Sequence, residues 1–319
     1  MKKLRVVFLG TPDIACGFLS RIAASRHEIA GVISQPDRPS GRGLKLCCSP
    51  VSALSAERRF KTFTPADKNA LHEVIAELEP DLCVVVAYGL LIPGRTLALS
   101  RLGFLNVHFS LLPRYRGAAP VQWALMNGET VTGVTLFWLD EGLDTGPVFL
   151  RRAVPVPETD DAYSLFARLA CAGTDLLAEG LEQAAAGGII REPQSGEPSH
   201  APKLTSGLAR LDFALPAASA LGKVRGLACG PRARFTFCAR GRSTTVQVLG
   251  AAAAPEPRCG AAGEILFVEP GGGFIVKCGV GALLVRTVRP EGKKEMSGAD
   301  FLNGLRLGRG DNLRSSCGT

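Results

Sequence analysis

Apolar residues in the first half of the chain gather into short, nearly continuous runs separated by longer amphipathic segments. The runs Leu4–Leu9, Glu28–Ser34, Leu82–Ala87, Phe104–Phe109 and Val131–Leu139 are rich in β-branched residues. Such near-unbroken apolar character is what a strand covered on both faces requires. Between them, Asp13–Ser25 and Asp67–Glu79 predict helices, and in the former Ile14, Phe18, Leu19 and Ile22 share one face at helical spacing. A further helix, Ala162–Ala186, closes the region. The alternation predicts an α/β domain over residues 1–188, built on an open parallel sheet with helices on both faces.

From Gly187 to Ser206 the periodicity dissolves into Gly, Pro, Ser and charge, which predicts a linker over residues 189–206. Beyond it the pattern changes. A helix near Leu215–Leu227 precedes five short strands, near Ala233–Cys238, Thr244–Leu249, Gly263–Val268, Phe274–Cys278 and Ala282–Val288. Turns such as Arg240-Gly241-Arg242 and Gly271-Gly272-Gly273 separate them. Short strands with hairpin turns suggest a small β-barrel, OB-like, over residues 207–319.

A length of 319 residues accommodates two such domains, and 46% hydrophobic with 21% charged residues is ordinary globular composition. The longest apolar stretch, Leu82–Ile92, is about half of what a membrane-spanning helix requires. The basic start Met1-Lys2-Lys3-Leu4-Arg5 leads into a run far too short for a signal peptide, ended by Pro12-Asp13. A cytoplasmic protein is the expectation. The ten cysteines contain no Cys-x-x-Cys pair, and the only close pair is the adjacent Cys47-Cys48. Reduced thiols, several serving as small hydrophobes, are expected rather than disulfides or a metal site. Charge matters once it is divided. Residues 1–206 hold 21 Lys+Arg and 21 Asp+Glu, whereas residues 207–319 hold 16 against 8 and carry the whole net charge of +8. A basic second domain on a neutral body suggests a polyanionic partner.

The densest polar cluster in an apolar region is Asn106-Val107-His108-Phe109-Ser110-Leu111-Leu112-Pro113-Arg114-Tyr115-Arg116-Gly117. Side chains alternate along a strand, so Asn106 and His108 project to one face near its C-terminal end, where open α/β sheets place ligands. An amide beside an imidazole can stabilise one carbonyl oxygen as it becomes an oxyanion. A histidine satisfied by its neighbours is the bland alternative. The third element is Asp144, in Asp140-Glu141-Gly142-Leu143-Asp144-Thr145-Gly146-Pro147, a turn at the sheet's edge. A carboxylate there can pair with a charged imidazole or take a proton through water. Taken alone it could equally be an Asx turn.

Asn106–Gly117 together with Gly142-Leu143-Asp144-Thr145-Gly146 resembles the folate-dependent formyltransferase family. Phe8–Asp13, Gln35–Gly43, Val84–Gly89 and Gly292-Lys293-Lys294, in this order and spacing, extend the resemblance over nearly the whole chain. They are similar to the branch whose acceptor is methionyl initiator tRNA. The resemblance implies a Rossmann-like catalytic domain and catalysis by Asn106, His108 and Asp144, with formyl drawn from 10-formyltetrahydrofolate. It implies a folate site at Val86, Ala87, Tyr88, Gly89, Leu90, Leu91, Ser110, Leu111, Leu112 and Pro113. It implies tRNA contacts at Arg38, Arg42, Lys45, Lys293 and Lys294, no metal, no membrane and a monomer. Two departures stand out: Phe109, where the family usually has a small or ring-constrained residue, and Cys229-Gly230-Pro231-Arg232, in place of an aromatic- and proline-rich turn.

Relatives acting on glycinamide ribonucleotide or an amino sugar, or a formate-releasing hydrolase, would use the same three residues but leave the basic domain without purpose. A dinucleotide-binding oxidoreductase is suggested only by Gly10-Thr11-Pro12-Asp13-Ile14-Ala15-Cys16-Gly17, which lacks the glycine spacing. A non-catalytic RNA-binding protein would leave Asn106, His108 and Asp144 idle.

Overall fold

A computed structural model of the chain describes residues 3–40, 45–239, 242–255 and 259–314. The first two thirds run through β1 (Arg5–Gly10), α1 (Ile14–Ala23), β2 (Glu28–Ile33), β3 (Arg38–Ser40), β4 (Lys45–Cys47), α2 (Pro50–Glu57) and β5 (Thr62–Phe63). There follow α3 (Lys68–Leu78), β6 (Leu82–Val86), α4 (Gly94–Leu97), β7 (Phe104–His108), α5 (Pro120–Met126), β8 (Val131–Trp138), β9 (Val148–Pro155) and α6 (Ala162–Ala185). Helices α3 and α2 start where a side chain satisfies their first amides. Asp67 accepts from the amides of Asn69 and Ala70, and Ser49 accepts from Ser52 ahead of Pro50. On α1 the buried face is Ala15, Phe18, Leu19 and Ile22.

The main sheet has the order β5-β2-β1-β6-β7-β8-β9. Its central strands are buried throughout β6 and along β1 from Val6 onward, as their apolar runs require. The strands from β5 to β7 are parallel, but β8 pairs antiparallel with β7 and β9 antiparallel with β8, so the sheet is mixed rather than wholly parallel. Only nine residues connect β8 to β9, too few for the crossover that a parallel neighbour needs. β9 is an edge strand with exposed Arg151, and its charged pair Arg151-Arg152 hid it from the apolar pattern. Within Gln35–Pro50, β3 and β4 pair antiparallel.

The chain forms two compact units. The residues up to Pro120, with Val131–Pro155 and Phe166–Ala201, make the first; Val121–Thr130, Val156–Leu165 and everything from Pro202 make the second. The stretch with linker composition from residue 189 therefore packs, as far as Ala201, within the first unit.

The second unit contains α7 (Ala217–Gly226), β10 (Arg234–Ala239), β11 (Arg242–Ala254), β12 (Ile265–Val268), β13 (Phe274–Lys277), β14 (Ala282–Pro290), β15 (Met296–Ser297) and α8 (Gly298–Leu305). The sheet order is β10-β11-β14-β13-β12, with β15 on β14. β10 and β12 do not pair among the described residues, so the sheet is an open half-barrel. Two register shifts around Gly250 break the ladder of the 13-residue β11, a bulge of the kind that bends a strand. Phe213, Phe235, Phe237 and Phe301 pack ring against ring in its core. Gly222 of α7 is required by close packing, because a Cβ there would lie 2.7 Å from the carbonyl oxygen of Met126.

Eight described cysteines are free thiols, with Cys83 and Cys278 buried, and burial pushes the Cys278 thiol up to about 11. Cys238 is disulfide-bonded, which departs from the expectation of reduced thiols throughout. Neither adjacency nor Cys-x-x-Cys spacing could announce that bond. Among the described residues no helix is long and apolar enough to cross a membrane.

Candidate active site

Strand alternation on β7 turns Asn106 and His108 to one face and Phe109, just past its end, to the other. The Phe109 ring packs edge-on against Phe18 and Phe166, with centroids 6.1 and 6.2 Å away. Asn106 and His108 line a cavity of about 420 Å³, together with Gly117, Leu139, Leu143 and Asp144, and Phe109 also reaches its lining. Its other wall is the chain beyond β6, from Ala87 to Ile92.

The wall and the loops that carry Tyr115 and Asp144 both depend on backbone that L-residues seldom adopt. Ala87 (φ 47°), Tyr115 (φ 60°) and Asp144 (φ 54°) are three of the six described non-glycine residues with positive φ, and all three lie at this site. Such conformations cost about 1–3 kcal/mol each and persist only where surrounding contacts impose them. The contacts are identifiable. The Tyr88 carbonyl accepts from Gln35 Nε2 at 2.6 Å and from Thr11 Oγ1 at 3.2 Å. Burial raises the Tyr88 phenol to about 12, so it stays neutral inside the wall.

His108 is buried, and its Nε2 lies 2.8 Å from the carbonyl oxygen of Tyr115. A carbonyl only accepts, so this network assigns the Nε2 proton and leaves Nδ1 facing Asp144 Oδ2 at 3.7 Å. That is ion-pairing distance without a hydrogen bond. Asp144 Oδ2 accepts instead from the amide of Gly117 at 2.7 Å. The Asx turn of this loop belongs to Asp140, whose Oδ1 accepts from the Gly142 amide and the Thr145 hydroxyl. With the turn made by Asp140, the Asp144 carboxylate is directed at the cavity.

The expected folate residues divide. Ala87, Tyr88, Gly89, Leu90 and Leu91 line the cavity, with Leu90 and Leu91 exposed. Val86 is wholly buried in β6. Ser110, Leu111, Leu112 and Pro113 do not line it but brace the chain behind it: Ser110 Oγ donates to the Arg114 carbonyl, and Thr135 Oγ1 joins the Ser110 carbonyl to the Leu112 amide. Sequence reading missed Tyr115, Gly117 and Gln194, which act through carbonyl, amide and side-chain contacts that no motif marks.

Of the expected tRNA contacts, Arg38 is exposed on β3 and donates to Gln35 Oε1. Lys45 opens β4, and Arg42 lies outside the described residues. In the second unit Lys293 and Lys294 are exposed beyond β14, and Lys293 lines a shallow concavity with Arg289, Gln247 and Glu291.

An amide and an imidazole beside a carboxylate, at the end of a strand next to an apolar wall, are groups suited to chemistry at a carbonyl carbon. The chain belongs to the formyl transferase family: residues 4–181 match its formyl transferase domain and residues 203–306 its C-terminal domain. Within it, the chain is similar to the methionyl-tRNA formyltransferase of Geobacter sulfurreducens (40% identical over 316 residues, 98% of each chain). It is similar also to the methionyl-tRNA formyltransferase of Halorhodospira halophila (42% identical, 96% of this chain and 98% of that one). Among solved structures, the fold resembles an N-formyltransferase from Helicobacter canadensis in complex with folinic acid and dTDP-3-aminofucose (TM-score 0.67, 17% identity, 89% of this chain and 99% of that one). It also resembles HypX from Aquifex aeolicus in complex with tetrahydrofolic acid (TM-score 0.62, 21% identity, 95% of this chain), of which this chain spans about half the length.

Proposed function

We propose that the protein transfers the formyl group of 10-formyltetrahydrofolate to the α-amino group of methionyl initiator tRNA, in support of translation initiation. The observation that carries the reading is the convergence of Asn106, His108 and Asp144 on one cavity beside the apolar wall Ala87–Leu91. That cavity suits a flat, polar-edged ring: exposed Leu90, Leu91 and Leu143 offer apolar faces, and the turn at Ala87–Gly89 offers backbone groups.

Bound 10-formyltetrahydrofolate supplies an already activated formyl carbon, so the reading requires no metal. As the amine adds to that carbon, Asn106 and His108, the latter through Nδ1–H when the ring carries both protons, hold the oxygen that gains negative charge. Asp144, at ion-pairing distance, stabilises His108 when it carries the positive charge and takes up the proton that the amine loses, which passes to the departing folate nitrogen. The new C–N bond forms at the methionyl nitrogen as the bond to folate N10 breaks.

The acceptor follows from the basic residues. Arg38, Arg42 and Lys45 on the β3–β4 segment and Lys293 and Lys294 beyond β14 contact the tRNA, in a division of labour between a catalytic domain and a basic tRNA-binding domain (207–319). Relatives of nearly the same length that are named for methionyl-tRNA support this acceptor over a small amine. The working form is a cytoplasmic monomer with no membrane association. The test is to incubate the protein with 10-formyltetrahydrofolate and methionyl initiator tRNA and to look for formyl-methionine on the tRNA. Product from the wild type that is lost in Asn106→Ala supports the reading. Formate release, or formylation only of a small amine, would discard tRNA as acceptor.

A further inference from the structure

Gln194 lies in a stretch whose composition reads as linker, between Pro193 and Ser195. Its amide is nevertheless fully used. Nε2 donates to the carbonyl oxygens of Asp144 and Gly146, each at 2.8 Å. Oε1 accepts from Arg116 Nε at 3.1 Å and Arg116 Nη2 at 2.6 Å. Carbonyls only accept and a guanidinium only donates, so the amide has one orientation that satisfies all four contacts. Glutamate would set an acceptor against two carbonyl oxygens, and a cationic side chain would face the Arg116 guanidinium.

What Gln194 joins is specific. Arg116 stands between Tyr115, whose carbonyl holds His108 Nε2, and Gly117, whose amide holds the Asp144 carboxylate. The same segment is fixed to 199–201: the Arg116 amide donates to the Ser199 carbonyl, the Ala201 amide to the Arg116 carbonyl, and the Tyr115 amide to Ser199 Oγ. Asp144 is thus tied to the 115–117 segment twice, by its carboxylate through Gly117 and by its carbonyl through Gln194 and Arg116. The second tie also secures a residue held at φ 54°.

We infer that Gln194 is a positioning residue for the catalytic set: it locks the Asp144–Gly146 turn to Arg116, so that the Asp144 carboxylate stays within ion-pairing reach of His108 while bonded to Gly117. Gln194 does not line the cavity, so its effect reaches the chemistry through Asp144. The inference rests on the catalytic roles proposed above.

The experiment compares Gln194→Glu and Gln194→Ala with the wild type. Glutamate keeps the size and the pairing to Arg116 but repels both carbonyls, and is expected to lower kcat for formyl transfer about tenfold or more with KM for the formyl donor within about twofold. Alanine, which loses the contacts without adding repulsion, should fall between. A second readout needs no substrate: the Gly117 amide resonance, identified by its displacement in Asp144→Asn, should shift in the same direction in Gln194→Glu. Wild-type kcat in the glutamate variant, or an unmoved Gly117 resonance in a folded variant, would overturn the inference. Failure of the wild type to formylate methionyl-tRNA would sink the proposed acceptor instead, leaving the Gly117 measurement to decide on Gln194.

Discussion

The carbonyl oxygen of Tyr115 holds His108 by Nε2 at 2.8 Å, while Asp144 faces the other ring nitrogen at 3.7 Å. The backbone, not the carboxylate, fixes the tautomer, with the proton on Nε2 and Nδ1 left toward Asp144. It also explains why a tyrosine with φ 60° is tolerated: in the left-handed conformation its carbonyl meets the ring.

Asn106→Ala and Asp144→Asn are expected to lower kcat by about 10²–10³-fold, the usual cost of losing one group that stabilises developing charge. Both residues line the cavity rather than the core, so melting temperatures should stay close to wild type. Variants that prove unfolded would move these residues from chemistry to structure.

Gly89→Ala tests the cavity wall. Gly89 has φ 83°, and a Cβ there would lie 2.8 Å from Gln35 Nε2, the donor that holds the Tyr88 carbonyl. We expect a stability loss of about 1–2 kcal/mol from the strained backbone and weaker binding of a non-transferable reduced folate by calorimetry. Unchanged affinity would mean that Ala87–Leu91 is not the folate wall.

Lys293→Ala with Lys294→Ala should weaken tRNA binding and flatten its dependence on salt, each lost phosphate contact reducing the slope of log K against log salt by about one. Arg42→Leu should lower kcat/KM for tRNA with donor affinity unchanged. A salt slope identical to wild type would remove the lysine pair from the interface.

His27 gives the fold a pH dependence remote from the active site. Its side chain is fully buried, Nδ1 accepts from the Leu4 amide at 3.2 Å, and Nε2 has no hydrogen-bond partner, with Glu182 at 3.4 Å. Burial lowers its affinity for a proton, and the Glu182 carboxylate only partly opposes this. The unfolded chain therefore takes up the proton first, so this contribution to stability is intact above the ordinary value of 6.5 and shrinks as pH falls below it. Urea midpoints of wild type and His27→Gln between pH 7.5 and 5.5 check this: the variant should lose less on acidification. Equal losses would assign the effect to other groups.

Much of this protein was legible in its sequence. The apolar runs of β1, β6 and β7 mark strands because burial on both faces leaves no room for polar side chains, and the spacing of Asn106 and His108 sets them on one face because strand side chains alternate. The basic surplus after residue 206 needed only counting. Edge strands such as β9 were hidden, since a half-exposed strand carries charge like any surface, and the β3–β4 pair was hidden among Arg, Gly and Pro. Tertiary structure alone decided how the site is held. That Tyr115 offers its carbonyl to His108, that Gly117 rather than His108 binds the Asp144 carboxylate, and that Gln194 ties the two loops together all depend on backbone atoms, which every residue carries alike. A one-dimensional pattern records side chains; it cannot record which carbonyl a distant amide will meet.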